Sequence, residues 1–221
     1  MTQVFFREID RLKRLLLEQG DQVENQVDRV TEALLKRDMQ LVRKIFSDER
    51  AIDQRDISLQ EECFKILALY QPVALDLRFV VAVLKFNNDL ERIADLAASI
   101  AKRAKKLVKL DAPPLVYDFA AMAAVARKML KDAMNALVEV DTELTRGVFA
   151  DEQILNRLHK ENTRAIQSAI QHAPEQVEAL IHQLVISRHV ERIGDLATNL
   201  AEEVVYLAEG EIIRHRDAEE L

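Results

Sequence analysis

The sequence predicts an all-α protein: two pseudo-symmetric, antiparallel three-helix bundles built from six long helices. Composition, patterning and repetition carry this. Gly and Pro number only 4 each in 221 residues, so the chain has few places to turn. Charged residues make up 31% and hydrophobic ones 49%, rich in Ala, Leu, Glu, Lys and Arg, which are strong helix formers. No stretch alternates apolar and polar residues between turn residues, as a strand does. The third observation is an internal repeat. Glu91-Arg92-Ile93-Ala94-Asp95-Leu96-Ala97 returns as Glu191-Arg192-Ile193-Gly194-Asp195-Leu196-Ala197. Upstream, residues 38–50 align with 141–153 at an offset of 103, with Asp38, Leu41, Arg43, Phe46, Asp48 and Glu49 matching Asp141, Leu144, Arg146, Phe149, Asp151 and Glu152. The offset falls to 100 downstream, so the second copy is three residues shorter in between. A unit used twice shows which polar residues it retains, and here they are acidic.

The first helix spans about 3–36, with Leu12, Leu15, Leu16 and Gln19 at helical spacing. The second, 38–70, opens on Asp38, an N-cap residue type, and carries Cys63, Ile66, Leu67 and Tyr70 on one face. Pro72 separates it from the third, 73–109, whose stripe is Val80, Val83, Leu84, Leu90 and Ile93. Pro113-Pro114 then divide the chain into units 1–110 and 111–221. The fourth helix covers 115–139. The fifth, 141–171, opens on Asp141, the repeat partner of Asp38. Pro174 opens the sixth, 174–209, and Gly210 stops it. Each unit therefore supplies three helices of bundle length, about 50 Å for some 35 residues.

Net charge is −7, which argues against a general nucleic-acid binder. The start, Met1-Thr2-Gln3-Val4-Phe5-Phe6, runs straight into Arg7 and Glu8 and lacks the pattern of a signal peptide. No apolar run approaches the roughly 20 residues of a membrane span. The single cysteine, Cys63, excludes an internal disulfide and reads as a small buried hydrophobe. Together these features fit a cytoplasmic protein. The sequence has no glycine-rich phosphate loop, no nucleophile elbow and no Cys/His metal spacing, and the Glu-x-x-His of di-iron bundles is missing. The residues point away from an enzyme.

The acidic residues carry the functional signal. In the hairpin that turns near 71–72, antiparallel register sets Glu49 opposite Asp95 and Asp53 opposite Glu91. In the one that turns near 173, it sets Glu152 opposite Asp195 and Asn156 opposite Glu191. Residues four apart share a helix face, so each hairpin can converge four side-chain oxygens, anionic except at Asn156. Carboxylates at that density repel one another, which raises some of their pKa values. A bound cation relieves the repulsion; such oxygen sites suit iron, manganese, magnesium or calcium, with zinc as a further option. The competing reading is a structural ion network in which Arg92, Arg192 or neighbouring helices neutralise the carboxylates. His182 and His189 lie near one face of the sixth helix, close to Glu191. The basic run Lys102, Arg103, Lys105, Lys106 and Lys109 has the acidic counterpart Glu202, Glu203 and Glu209 in the other half.

The two Glu-Arg-Ile-(Ala/Gly)-Asp motifs, with Gln71-Pro72-Val73-Ala74-Leu75-Asp76-Leu77-Arg78 ahead of the first, make the whole chain resemble the PhoU family of phosphate-transport accessory proteins. The resemblance implies multinuclear clusters of iron or zinc, one per bundle, on Glu49, Asp53, Glu91 and Asp95 and on Glu152, Glu191 and Asp195. Asn156 departs from the acidic pattern and offers only a neutral oxygen, so a weaker second site is expected. Ala94 replaces the usual Gly without touching a ligand. The resemblance further implies a homodimer that regulates negatively, linking the transporter ATPase subunit (PstB) to a sensor histidine kinase (PhoR). It would meet the membrane only through those partners. Two alternatives stand beside this: a carboxylate-bridged metal-storage or metalloenzyme bundle, and a structural dimer whose acidic pairs hold no ion.

Overall fold

A computed structural model describes residues 3–210, so the extreme ends of the two expected units lie outside the described residues. Six long helices follow in order: α1 (Gln3–Lys36), α2 (Met39–Tyr70), α3 (Ala74–Lys109), α4 (Phe119–Glu139), α5 (Thr142–His172) and α6 (Val177–Glu209). A 3₁₀ turn, Pro174–Gln176, precedes α6, and there is no strand among the described residues.

The helix boundaries follow from local chemistry that both repeats share. Asp38 and Asp141 cap α2 and α5: each side chain accepts from the second and third amides beyond it, Gln40 and Leu41 in one case, Glu143 and Leu144 in the other. Just before each cap, Arg37 and Val140 take a left-handed conformation, with φ 52° in both. Asp38 N–H then donates to the Ala33 carbonyl and Asp141 N–H to that of Ala136, each at 3.0 Å, which closes the preceding helix. Gly210, at φ 77°, ends α6 as expected.

One boundary differs. α4 begins at Phe119, four residues beyond the expected start, because the linker is held by α6 instead. Val116 N–H donates to Gln183 Oε1 and the Tyr117 hydroxyl donates to the Gln183 carbonyl, both at 3.0 Å. Asp118 then caps α4 by accepting from Ala121 N–H.

Helices α1, α2 and α3 pack on one another, as do α4, α5 and α6. The two bundles meet mainly along α3 and α6, with a smaller contact between α1 and α4. Burial records this layering. α2 buries 6 of 32 residues and α5 buries 6 of 31, whereas α3 buries 16 of 36 and α6 buries 18 of 33. The outer helices thus have one apolar stripe, and the inner pair is covered on two sides. Lys85 of α3 bonds Glu203 of α6 at 2.8 Å, and Arg103 meets His182 at 3.4 Å, which fixes α3 and α6 as antiparallel. Cys63 is fully buried in the core, where desolvation, then Glu62, pushes its thiol up to about 12.

Candidate metal centres

The register of each hairpin is set by one cross-brace. In the first, Asn87 Nδ2 donates to the Asp56 carboxylate at 2.6 Å and to the Asp56 carbonyl at 3.0 Å. In the second, His159 Nδ1 and Ser187 Oγ lie 2.9 Å apart. Asp56 and His159 occupy equivalent repeat positions, as do Asn87 and Ser187. The brace is therefore conserved in place while its chemistry changes from carboxylate–amide to imidazole–hydroxyl. Continuing along each hairpin, the brace sets Asp53 and Glu91 at the next level, then Glu49 and Asp95.

In the first hairpin Glu49 and Glu91 are half-buried, and Asp53 and Asp95 are exposed. The Glu91 carboxyl is raised, first by desolvation and then by repulsion from Asp95, Asp56 and Asp53, with Arg92 opposing. Three carboxylates, drawn from both helices, thus act on Glu91. In the second hairpin Glu152, Asn156 and Glu191 are half-buried. Glu152 is raised by desolvation, Asp195 and Glu202. Asp195, though exposed as a residue, has its carboxyl in the cleft between α3, α5 and α6; desolvation and then Glu191 push it up to about 6, against Arg192. His159, Glu191 and Asp195 line one groove, whereas Asn156 lines another with Arg157, Lys160 and Arg164.

The arginines offset this charge only in part, Arg92 at Glu91 and Arg192 at Asp195. Arg92 pairs with Asp89 at 3.6 Å, outside the set of expected ligands. Among the described residues, no three His, Cys, Asp or Glu side chains stand in position to hold a metal ion. The donors fit a hard or borderline cation by type. Asp56, His159 and Glu202 are members of these clusters that the sequence reading missed. The signal was present: the same antiparallel register, carried one turn further, pairs 56 with 87 and 159 with 187.

Fold and site together define a tandem-repeat helical bundle with a carboxylate cluster in each half. The PhoU domain model matches residues 16–104 and 119–204, and the chain belongs to the PhoU family. It is similar to the phosphate-specific transport system accessory protein PhoU homologue of Pseudomonas putida, at 32% identity over 97% of this chain and 84% of that one. The Pseudomonas aeruginosa homologue is 32% identical, over 97% of this chain and 89% of that one. The crystal structure of PhoU from P. aeruginosa superposes with a TM-score of 0.91, covering 94% of this chain and 100% of that one. That of the phosphate transport system regulatory protein PhoU from Streptococcus pneumoniae gives 0.85 at 26% identity, covering 94% of this chain and 98% of that one. No helix of the described residues is long and apolar enough to cross a membrane.

Proposed function

We propose that this chain is a non-enzymatic accessory regulator of phosphate transport, a negative regulator of phosphate uptake and phosphate-starvation signalling. The observation that supports it is a full-length match in sequence and fold to PhoU accessory and regulatory proteins, with both repeats included. In this reading the protein works in the cytoplasm as a homodimer and links the transporter ATPase subunit (PstB) to the sensor histidine kinase (PhoR). A role of that kind runs on surfaces, and long outer helices with one buried stripe leave wide faces for it. Each bundle holds iron or zinc, or alternatively manganese or magnesium, through Asp53, Glu91 and Asp95 with Glu49, and through Glu152, Glu191 and Asp195 with Asn156. A cation there would offset the repulsion that raises Glu91, Glu152 and Asp195.

Two measurements test this. Deletion of the gene should derepress phosphate-starvation genes, and the tagged protein should retain the ATPase subunit and the kinase from detergent extracts. A deletion strain that still represses those genes in phosphate-replete medium sinks the regulatory role. Elemental analysis of protein purified without chelators should find metal that is lost when Glu49, Asp53, Glu91 and Asp95 become amides. Equal metal in both preparations removes the first cluster.

A further inference from the structure

The seam between α3 and α6 has two ends that the repeat relates to one another, and their charges have diverged. Lys102, Arg103 and Lys109 correspond to Glu202, Glu203 and Glu209; His189 corresponds to Asp89, and Arg188 to Asn88. The end that carries the acids is neutralised from within, by Lys85 on Glu203 at 2.8 Å and Arg92 on Asp89 at 3.6 Å. At the other end the offset is partial, with Arg192 acting on Asp195. Arg103, Arg188 and Arg192 all stand close enough to His189 to act on its ring, and His189 Nδ1 is buried with no hydrogen-bond partner. Arg103 and Lys106 likewise crowd His182, against Glu178 alone. Among the described residues, Arg103, Lys106, Arg188 and Arg192 make no salt bridge.

Arg192 lines a groove of about 470 Å³ between these two antiparallel helices, and Arg103 follows Ser99 by one helical turn at the basic end of that groove. Leu96 and Leu196 line it, with Ser99, His189, Arg192 and Asn199. Arg92, Asp95 and Asp195 line it too. Ser99 and His189 lie on the basic side of both aspartates along their helices, which places any anion there. Guanidinium forks from opposite sides match the several oxygens of a multiply charged tetrahedral anion, whereas chloride would satisfy neither the charge nor the donors. We propose that the basic end of the α3–α6 seam binds a phosphoryl oxyanion, with Arg103 and Arg192 as charged anchors and Ser99 and His189 as hydrogen-bond donors. This site adjoins Asp95 and Asp195 of the carboxylate clusters but takes none of its donors from them, and it does not depend on a metal there.

The test is equilibrium dialysis of radiolabelled inorganic phosphate against the full chain after chelator treatment, with metal content measured on the same samples. Binding should be saturable with a Kd of about 1 mM or tighter. Arg103→Glu, which installs the residue of the other repeat, and Arg103→Gln, which keeps the length, should each weaken it about tenfold or more, with unchanged circular dichroism. Lys160→Glu, on the outer face of α5, should leave it unchanged. A parallel arm uses phosphatidylcholine vesicles with and without phosphatidic acid. If only the phosphatidic acid vesicles retain the protein, and Arg103→Glu releases it, the oxyanion is a lipid headgroup. Absence of binding in both arms overturns the proposal, as does binding indifferent to Arg103. Phosphate uptake only by metal-loaded protein, lost in Glu91→Gln, also overturns it, because the anion would then be a ligand of the metal.

Discussion

At the scale of single residues, the two copies of the motif solve one packing problem differently. Gly194 faces Leu155, and a methyl group at 194 would overlap that side chain. The equivalent positions in the first copy hold Ala94 and Ile52, both buried. Gly194→Ala gains helix propensity but overpacks the core, and the second effect should win by about 1 kcal/mol. Adding Leu155→Ile restores the first copy's solution, so the double variant should melt close to the parent in a thermal scan. A double variant no better than the single one refutes the packing argument. Asp195 supplies a pH test. Its carboxyl is raised to about 6 from an ordinary 3.8, so the folded state holds this proton more tightly than the unfolded chain does. Its stabilising contribution is full below pH 3.8 and is lost as pH rises through 6. In metal-free protein, Asp195→Asn should therefore raise the melting temperature at pH 7.5 and leave it nearly unchanged at pH 4. Exposure to solvent keeps the gain below about 1 kcal/mol. A variant that melts lower at pH 7.5 would mean that the ionised carboxylate has a favourable partner.

At the scale of helices and turns, Val140 is the clearest strained position. A β-branched residue at φ 52° sits where glycine belongs. Val140 is also solvent-exposed, so Val140→Gly loses little packing and should stabilise the protein by about 1 kcal/mol. Chemical denaturation with an unchanged slope would check it; a loss of stability would show that the Val140 side chain holds the α4–α5 turn. The helices were legible in the sequence because Asp38, Asp141, Pro72, Pro174 and Gly210 each impose a local rule. The start of α4 was not, because Val116 and Tyr117 answer to Gln183, a partner far along the chain. The candidate sites were legible in the same uneven way. Spacing within a helix and register across a hairpin located the carboxylates. It did not reveal that Asp56 joins them through Asn87, nor that Asn156 lines a separate groove among cationic side chains.

At the scale of the whole molecule, two units were predicted, and their shared core was not. Ala97, Ala101 and Ala104 of α3 and Ala197 and Ala201 of α6 are all buried. In the sequence such alanines look like mere helix formers, yet with both sides of α3 and α6 covered they belong to one continuous core. Neither bundle can bury that seam alone. Residues 1–110 and 111–221 expressed separately should therefore lack cooperative thermal unfolding, and co-expression should recover it as a complex. Cooperative melting of either half alone would show self-sufficient bundles.

The placement of the chain ends has a consequence for how the gene could be rewritten. The Phe5 ring packs on Tyr70, at 5.7 Å between centroids, where α2 gives way to α3. Gly210 abuts the guanidinium of Arg78 in the early turns of α3. Both ends of the described chain thus gather at one pole. At the other pole the Arg37 side chain reaches the Ala112 carbonyl, and the proline linker follows. Splicing the old ends through a flexible tether and opening the chain at Pro113-Pro114 yields a circular permutant in which the second unit is translated first. The fold specifies which helices touch and is indifferent to which half emerges first from the ribosome.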